Sequence, residues 1–240
     1  MLILALDTSA TTASVALLED GVSVGAFHIY NKLTHSEKLL PMIDSLLTFV
    51  KKSIDDVDLI AVSSGPGSFT GVRIGVSCVK GLAFSRNIPV ASVSTLEALA
   101  QNFSLFAPKK DEKVIVCPCM DARRDELYSA IFSFDGETFT RLSDDMAISC
   151  NALLLKLQEF GGTVYLLGDG GEKMYKFLDG SNPDFKFFSV PSIMCMQNAQ
   201  SVGAVGYKKY LENDTVTSES LVCSYLRQSQ AERNYKGEAK

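Results

Sequence analysis

The stretch LILALDTSATTASVALLEDGVSVGAFHI, positions 2–29, sets the plan of the chain. Residues 2–6 are an unbroken apolar run, the pattern of a strand covered on both faces. Asp7-Thr8-Ser9 interrupts it as a polar turn, and residues 13–18, ASVALL, resume as a second strand. Asp20-Gly21 is a two-residue hairpin signal, because such turns require φ > 0 and these residue types tolerate it. Residues 22–29 then read as a third strand, so the chain opens with a three-stranded antiparallel meander.

Outward from this stretch, Leu39, Leu40, Ile43, Leu46, Leu47 and Val50 recur at helical spacing and predict a helix over 36–50. A short buried strand at 59–62 runs into the loop GPGSFTG at 65–71, followed by a helix over 72–86, a strand at 88–91 and a helix over 94–103. The polar stretch 107–112, with Pro108, reads as a linker. The opening plan then restarts. A strand at 114–117 is followed by Asp121, as Asp7 follows the first. Strands at 126–134 and 137–142 flank an Asp135-Gly136 turn, and a helix at 152–160, a strand at 164–167, Gly168-Asp169-Gly170-Gly171 and a helix to about 177 complete the copy. A helix over 198–211, a strand or extended segment over 221–227 and a polar, fraying end follow. The two copies share element order and little identity. This predicts an α/β fold of two lobes, residues 1–108 and a smaller 109–240 of related topology. Each is a mixed sheet flanked by helices, ribonuclease H-like, with a cleft between them, as in the actin-like (ASKHA) ATPases.

The chain has 240 residues, 46% of them hydrophobic and 21% charged, and a net charge of −5. No apolar run is long enough to cross a membrane. The apolar start is too short for a signal-peptide core, which places the protein in the cytoplasm. An acidic chain is a poor stand-alone nucleic-acid binder, since phosphate contacts need clustered Lys and Arg. Of six cysteines only Cys117 and Cys119 lie close together; they read as free thiols or as a redox pair, not as zinc ligands. The histidines are His28 and His35. A His-x-x-x-His metal helix would need its second histidine where Leu39 stands, so no tightly bound zinc or iron is expected.

Two segments are candidates for chemistry. In a two-lobed ATPase the turn Asp7-Thr8-Ser9 faces the phosphates and the magnesium ion; alternatively Asp7 simply bonds its own backbone. In GPGSFTGVRIG, 65–75, the residues Gly65, Gly67 and Ser68 are candidate phosphate contacts, with Thr70 capping the next helix. The alternative is close packing, with Gly71, Gly75 and Ser77 making a flat helix face. The loop lacks the Gly-Lys-Ser/Thr ending of a Walker motif, and no Gly-x-Ser-x-Gly elbow supports a hydrolase.

The segments ILALDTSATTASVALLEDG (3–21), HSEKLLPMID (35–44), GPGSFTGVRIGV (65–76), GLAFSRNIPVASVSTLEALA (81–100), DARRDELYSAIF (121–132), LGDGGEK (167–173) and YLR (225–227) occur in that order. Together they closely resemble the TsaB (YeaZ) family, the dimerisation subunit of the bacterial machinery for threonylcarbamoyladenosine (t6A) in tRNA. The resemblance implies an actin-like fold with a degraded active site. It also implies a non-catalytic role beside TsaD, the subunit that transfers the threonylcarbamoyl group to adenosine 37. The expected partners are TsaD, the TsaE ATPase in a larger complex, and a second copy when TsaD is absent, with tRNA engaged only indirectly. No cofactor is expected to bind tightly, and ATP or ADP only in the assembled complex. The partner surface would lie on the two first-lobe helices: His35, Leu39, Leu40, Ile43, Leu46 and Leu47 on one, and an outward face of Gly71, Ile74, Gly75 and Cys78 on the other. The competing readings are an active ATPase or small-molecule kinase and, with less support, a peptidase.

Overall fold

The structure, a computed structural model, describes residues 1–30, 35–105 and 113–227. The linker expected at 107–112, the lobe boundary and the polar end lie outside these. The first half runs β1 (Leu2–Asp7), β2 (Thr12–Glu19), β3 (Val22–Tyr30), α1 (His35–Phe49), β4 (Leu59–Gly65), α2 (Phe69–Phe84), β5 (Val90–Ser94) and α3 (Thr95–Gln101). The second runs β6 (Val114–Asp121), β7 (Glu126–Ser129), β8 (Phe132–Phe134), β9 (Phe139–Arg141), β10 (Met146–Ser149), α4 (Cys150–Phe160), β11 (Thr163–Leu167), α5 (Gly171–Ser181), β12 (Lys186–Ser189) and α6 (Ala199–Leu211).

The first sheet has the order β3-β2-β1-β4-β5 and the second β10-β7-β6-β11-β12. Both follow one plan: an antiparallel meander, then two parallel strands reached through crossover helices. The β8–β9 hairpin is an insertion that pairs onto β6. This is the two-lobed actin-like architecture that the repeated pattern predicts. Asp7 and Asp121 end the first strand of their respective sheets.

β1 reads as a continuous apolar run because it is central and covered on both faces. On one face Leu4 and Leu6 meet Leu39, Ile43, Leu46 and Leu47 of α1 and Val72, Val76 and Val79 of α2. On the other, Ile3 and Ala5 meet Ala199, Val202 and Val205 of α6. Each fully buried leucine or isoleucine in these layers contributes roughly 1.5–3 kcal/mol. Thus α6, expected within the second lobe, returns to cover the first sheet. Conversely, Leu96, Leu99 and Ala100 of α3 pack on the second sheet, against Val116, Phe132 and Leu167. α4 and α5 fill that sheet's far face through Leu153, Leu157, Met174 and Leu178.

Other elements differ locally. α2 begins at Phe69, and its cap is Ser68, which accepts from the Gly71 amide; Thr70, expected as the cap, lies inside the first turn. The strand expected over 126–134 breaks at Ala130-Ile131, where the chain changes neighbours from β7's partner β10 to β8's partner β9. β10 and β12 are short edge strands that periodicity does not reveal. Residues 221–227 form no strand.

Candidate functional site

In the turn after β1, Asp7 and Thr8 face inward, with Asp7 bonding its own backbone as in the alternative reading, while Ser9 borders the cleft between the lobes. Asp7 is 1% exposed. Its Oδ1 accepts from the Ser9 amide at 2.8 Å and the Ser9 hydroxyl at 2.6 Å, and its Oδ2 accepts from the Ser63 hydroxyl at 2.5 Å. Burial pushes its carboxyl above the usual carboxylate range, against these hydrogen bonds, which pull the other way. Thr8 is likewise buried and donates to the Gly71 carbonyl at 2.7 Å. The Ser9 carbonyl accepts from the Ser68 amide at 2.7 Å.

The glycines of the 65–75 segment explain this seat. Gly67, Gly71 and Gly75 fall at every fourth position and turn one face towards Thr8 and Ser9. A Cβ added at any of the three would come closer than 3.0 Å to an atom of those residues; at Gly75 it would lie 2.6 Å from Thr8 Oγ1. The close packing expected of this segment is realised along the Gly67, Gly71 and Gly75 face, while Gly67 and Ser68 also border the cleft between the lobes. The assignment of Gly71 and Gly75 to an outward partner face is therefore corrected: both are buried against their own lobe. Gly65 has a φ of +126°, a conformation that suits glycine alone.

The leucine stripe of α1 is corrected in the same sense. Leu39, Ile43, Leu46 and Leu47 lie in the first core. Leu40 is 54% exposed, and Ile74 and Cys78 are half-buried. With Phe69 and Arg73 these three line an apolar groove of about 470 Å³ between α1 and α2. Burial in its wall pushes the Cys78 thiol up to about 11. His35 opens α1, with Nε2 2.8 Å from the Ala10 carbonyl, so its ring is spent on bracing the helix start.

Between the lobes lies a cleft of about 810 Å³. The first lobe contributes Ser9, Gly67, Ser68, Thr70 and Arg73, and the second Asp121, Arg123, Tyr128 and Asp169. The two aspartates at the strand ends thus differ: Asp121 stands at the cleft, with its Oδ1 3.6 Å from Lys173 Nζ. The Asp121 amide donates to Asp169 Oδ1 at 3.1 Å, and burial raises the Asp169 carboxyl above its usual range, with the Asp121 charge adding to the effect. Tyr225 and Arg227 complete the rim. Sequence reasoning assigned no role to Arg73, Asp169, Tyr225 or Arg227, although all four lie in segments it singled out.

Among the described residues no group of three or more His, Cys, Asp or Glu side chains is placed to hold a metal ion. Cys117 and Cys119 lie with their Sγ atoms 3.8 Å apart, both buried beside Ser129. Ser14 and His28 approach to 2.9 Å, the geometry of a nucleophile and its base. Ser14, however, is fully buried and accepts from the Ala199 amide at 3.0 Å, which walls it off from any substrate.

Comparison with known proteins agrees with this architecture. The sequence model of the family described as "TsaD: tRNA N6-adenosine threonylcarbamoyltransferase" matches residues 31–235. A Bacillus subtilis protein named tRNA threonylcarbamoyladenosine biosynthesis protein TsaB is 36% identical over 70% of this chain and 71% of its own. A Pseudomonas aeruginosa crystal structure, described as an uncharacterized protein with similarity to peptidase YEAZ, superposes with a TM-score of 0.80. It is 26% identical, covering 94% of this chain and 99% of that one. A putative N-acetylmannosamine kinase from Listeria monocytogenes, 11% identical over 89% of this chain and 99% of its own, superposes with a TM-score of 0.52 and shares the fold alone.

Proposed function

The chain belongs to the TsaB family, and on that premise we propose that it serves the formation of threonylcarbamoyladenosine in tRNA as a subunit that performs no chemistry itself. In this reading it binds the threonylcarbamoyltransferase TsaD and meets tRNA only through that partner. The TsaE ATPase joins the larger assembly, and a second copy of the chain takes TsaD's place when TsaD is absent. It works in the cytoplasm and holds no metal of its own.

The observation that carries the non-catalytic reading is the engagement of Asp7. A carboxylate that positions a magnesium ion must offer its oxygens to the cleft. Here both oxygens accept from Ser9 and Ser63, and the turn that bears them is clasped by Ser68 and Gly71. ATP or ADP would then bind only where a partner supplies the missing contacts. Calorimetry on the isolated chain is expected to find no ATP affinity better than about −7 kcal/mol, a low-micromolar constant. Tighter binding would favour the reading as an active ATPase or kinase.

The groove between α1 and α2 is the surface that best fits TsaD. Leu40 and Ile74 leave apolar area exposed at its mouth, and Arg73 borders it, a residue type enriched at the energetic centres of interfaces. Leu40→Glu places a charge on this area without entering the core, and Ile74→Arg does so at a partly buried residue whose inner side packs on the core. Each variant is expected to stay folded and to lose TsaD affinity by about thirty-fold or more, or roughly 2 kcal/mol. Co-purification and calorimetry with TsaD of the same organism would test this; unchanged affinity in both variants removes the groove from the interface.

A further inference from the structure

Residues 216–227 leave α6 and run back across the molecule along a series of anchors. Val216 forms an antiparallel bridge with Val90 at the outer edge of β5, with N···O distances of 2.8 and 2.9 Å. Lys80 of α2 donates to the Glu219 carbonyl at 3.1 Å, and Leu221 is buried in the first core. The Ser224 amide donates to the Ser64 carbonyl at 2.7 Å. The Ser224 carbonyl occupies the space where Gly65 lacks a side chain. The segment then crosses the cleft. Tyr225 stacks on Phe69 of the first lobe with ring centroids 4.6 Å apart and planes 28° apart. Arg227 donates to the Ala122 carbonyl of the second lobe at 2.8 Å and pairs with Glu126 at 2.9 Å.

Phe69, Thr70 and Arg73 line the cleft on one side and the α1/α2 groove on the other. The wall between the two cavities is therefore a single layer of side chains. Arg73 is its hub: the guanidinium carbon lies 3.8 Å from the Phe69 ring centroid, and Nε donates to the Tyr225 hydroxyl at 2.8 Å. No carboxylate pairs with Arg73 among the described residues. Close-packed layers pass displacements on to their neighbours rather than absorbing them.

We propose that residues 216–227 form a strap that couples the groove to the cleft. The Phe69–Arg73–Tyr225 layer is a shared wall, so an element seated in the groove resets the strap and, through Arg227, the hold on the second lobe. Coupling of this kind is reciprocal. Loosening the strap at its far end must therefore be felt in the groove, whatever the partner is.

The native cysteines report each place separately. Cys78 stands in the groove, Cys223 in the strap, and Cys117 and Cys119 in the core of the second lobe. Alkylation with N-ethylmaleimide, followed site by site through peptide mass spectrometry, would compare the wild type with Arg227→Ala. Cys223 and Cys78 are expected to react about five-fold faster or more, with Cys117 and Cys119 still protected. Tyr225→Phe, which keeps the ring but frees Arg73 and removes the hydroxyl beside Cys223, is expected to speed Cys78 with Cys117 and Cys119 still protected. A Cys78 rate within about two-fold of wild type in Arg227→Ala overturns the coupling. So does a rise shared equally by Cys117 and Cys119, which makes the strap only a brace against unfolding.

Discussion

A chain carrying Gly71→Val is expected to lose at least about 3 kcal/mol of stability and to melt roughly 10 °C lower. A Cβ at this position comes closer than 3.0 Å to the Thr8 carbonyl oxygen. That oxygen is backbone and has no rotamer to escape into. Thr8 is itself tied to Gly71, whose carbonyl accepts its hydroxyl, so the turn and the helix have to separate together. Because total stability is commonly only about 5–15 kcal/mol, such a loss is a large share of it. Gly75→Arg is expected to unfold the isolated chain because its Cβ would meet Thr8 Oγ1 and Val62 and a guanidinium would follow into the buried space, with no folded, partner-blind monomer produced. Urea titration followed by circular dichroism measures both. A wild-type midpoint in Gly71→Val would mean that the α2 face does not seat on the turn.

Asp7→Ala is the second severe change, and Asp7→Asn the informative control. Alanine strips the acceptor from the Ser9 amide, the Ser9 hydroxyl and the Ser63 hydroxyl inside the fold. Each stranded donor costs roughly 1–3 kcal/mol, so a loss of about 3 kcal/mol or more is expected. Asparagine keeps an acceptor for Ser9 and offers its amide to the Ser63 oxygen, whose hydroxyl rotates; the loss should stay below about 1.5 kcal/mol. The wild type and Asp7→Asn also differ in pH dependence. Burial raises the Asp7 carboxyl above its ordinary 3.8, so the folded chain holds this proton more tightly than the unfolded chain does. The resulting stability is fully present below the unfolded value and is lost as pH rises through the folded one. The wild type should therefore gain on Asp7→Asn as pH falls from neutral towards 4. Denaturant midpoints of both proteins at neutral and mildly acidic pH would show it; a constant difference would mean that Asp7 ionises as an exposed carboxylate does.

Periodicity made the repeated plan legible because the central strands, β1, β4, β6 and β11, each contain an unbroken run of four or more apolar residues and the crossover helices carry wide stripes. It failed at β10 and β12, which are four residues each and half-exposed, so no apolar pattern marks them. The glycines of α2 were conspicuous, but spacing alone does not say which side they face. A flat helix face serves a partner helix and a backbone turn equally well, and only the position of Thr8 decides between them. The leucine stripe misled through its width. It covers β1, β2 and β3 of its own sheet, and only Leu40, one residue beyond that contact, is left outside. Tyr225 and Arg227 were beyond reach because their partners, Phe69 and Ala122, are more than a hundred residues away in sequence.

The positions of α3 and α6 bear on how the molecule comes into being. Each follows the last strand of one sheet and packs on the other, so neither half closes its own core. While the chain is being synthesised, the face of the first sheet formed by Ile3, Ala5, Leu18, Leu59 and Ala61 has only Ala98 of α3 for cover until Ala199–Leu211 emerges. The nascent first half is therefore an open, adhesive sheet rather than a finished domain. The exchange of helices makes the protein a single cooperative unit, assembled after translation has passed residue 211 and not lobe by lobe.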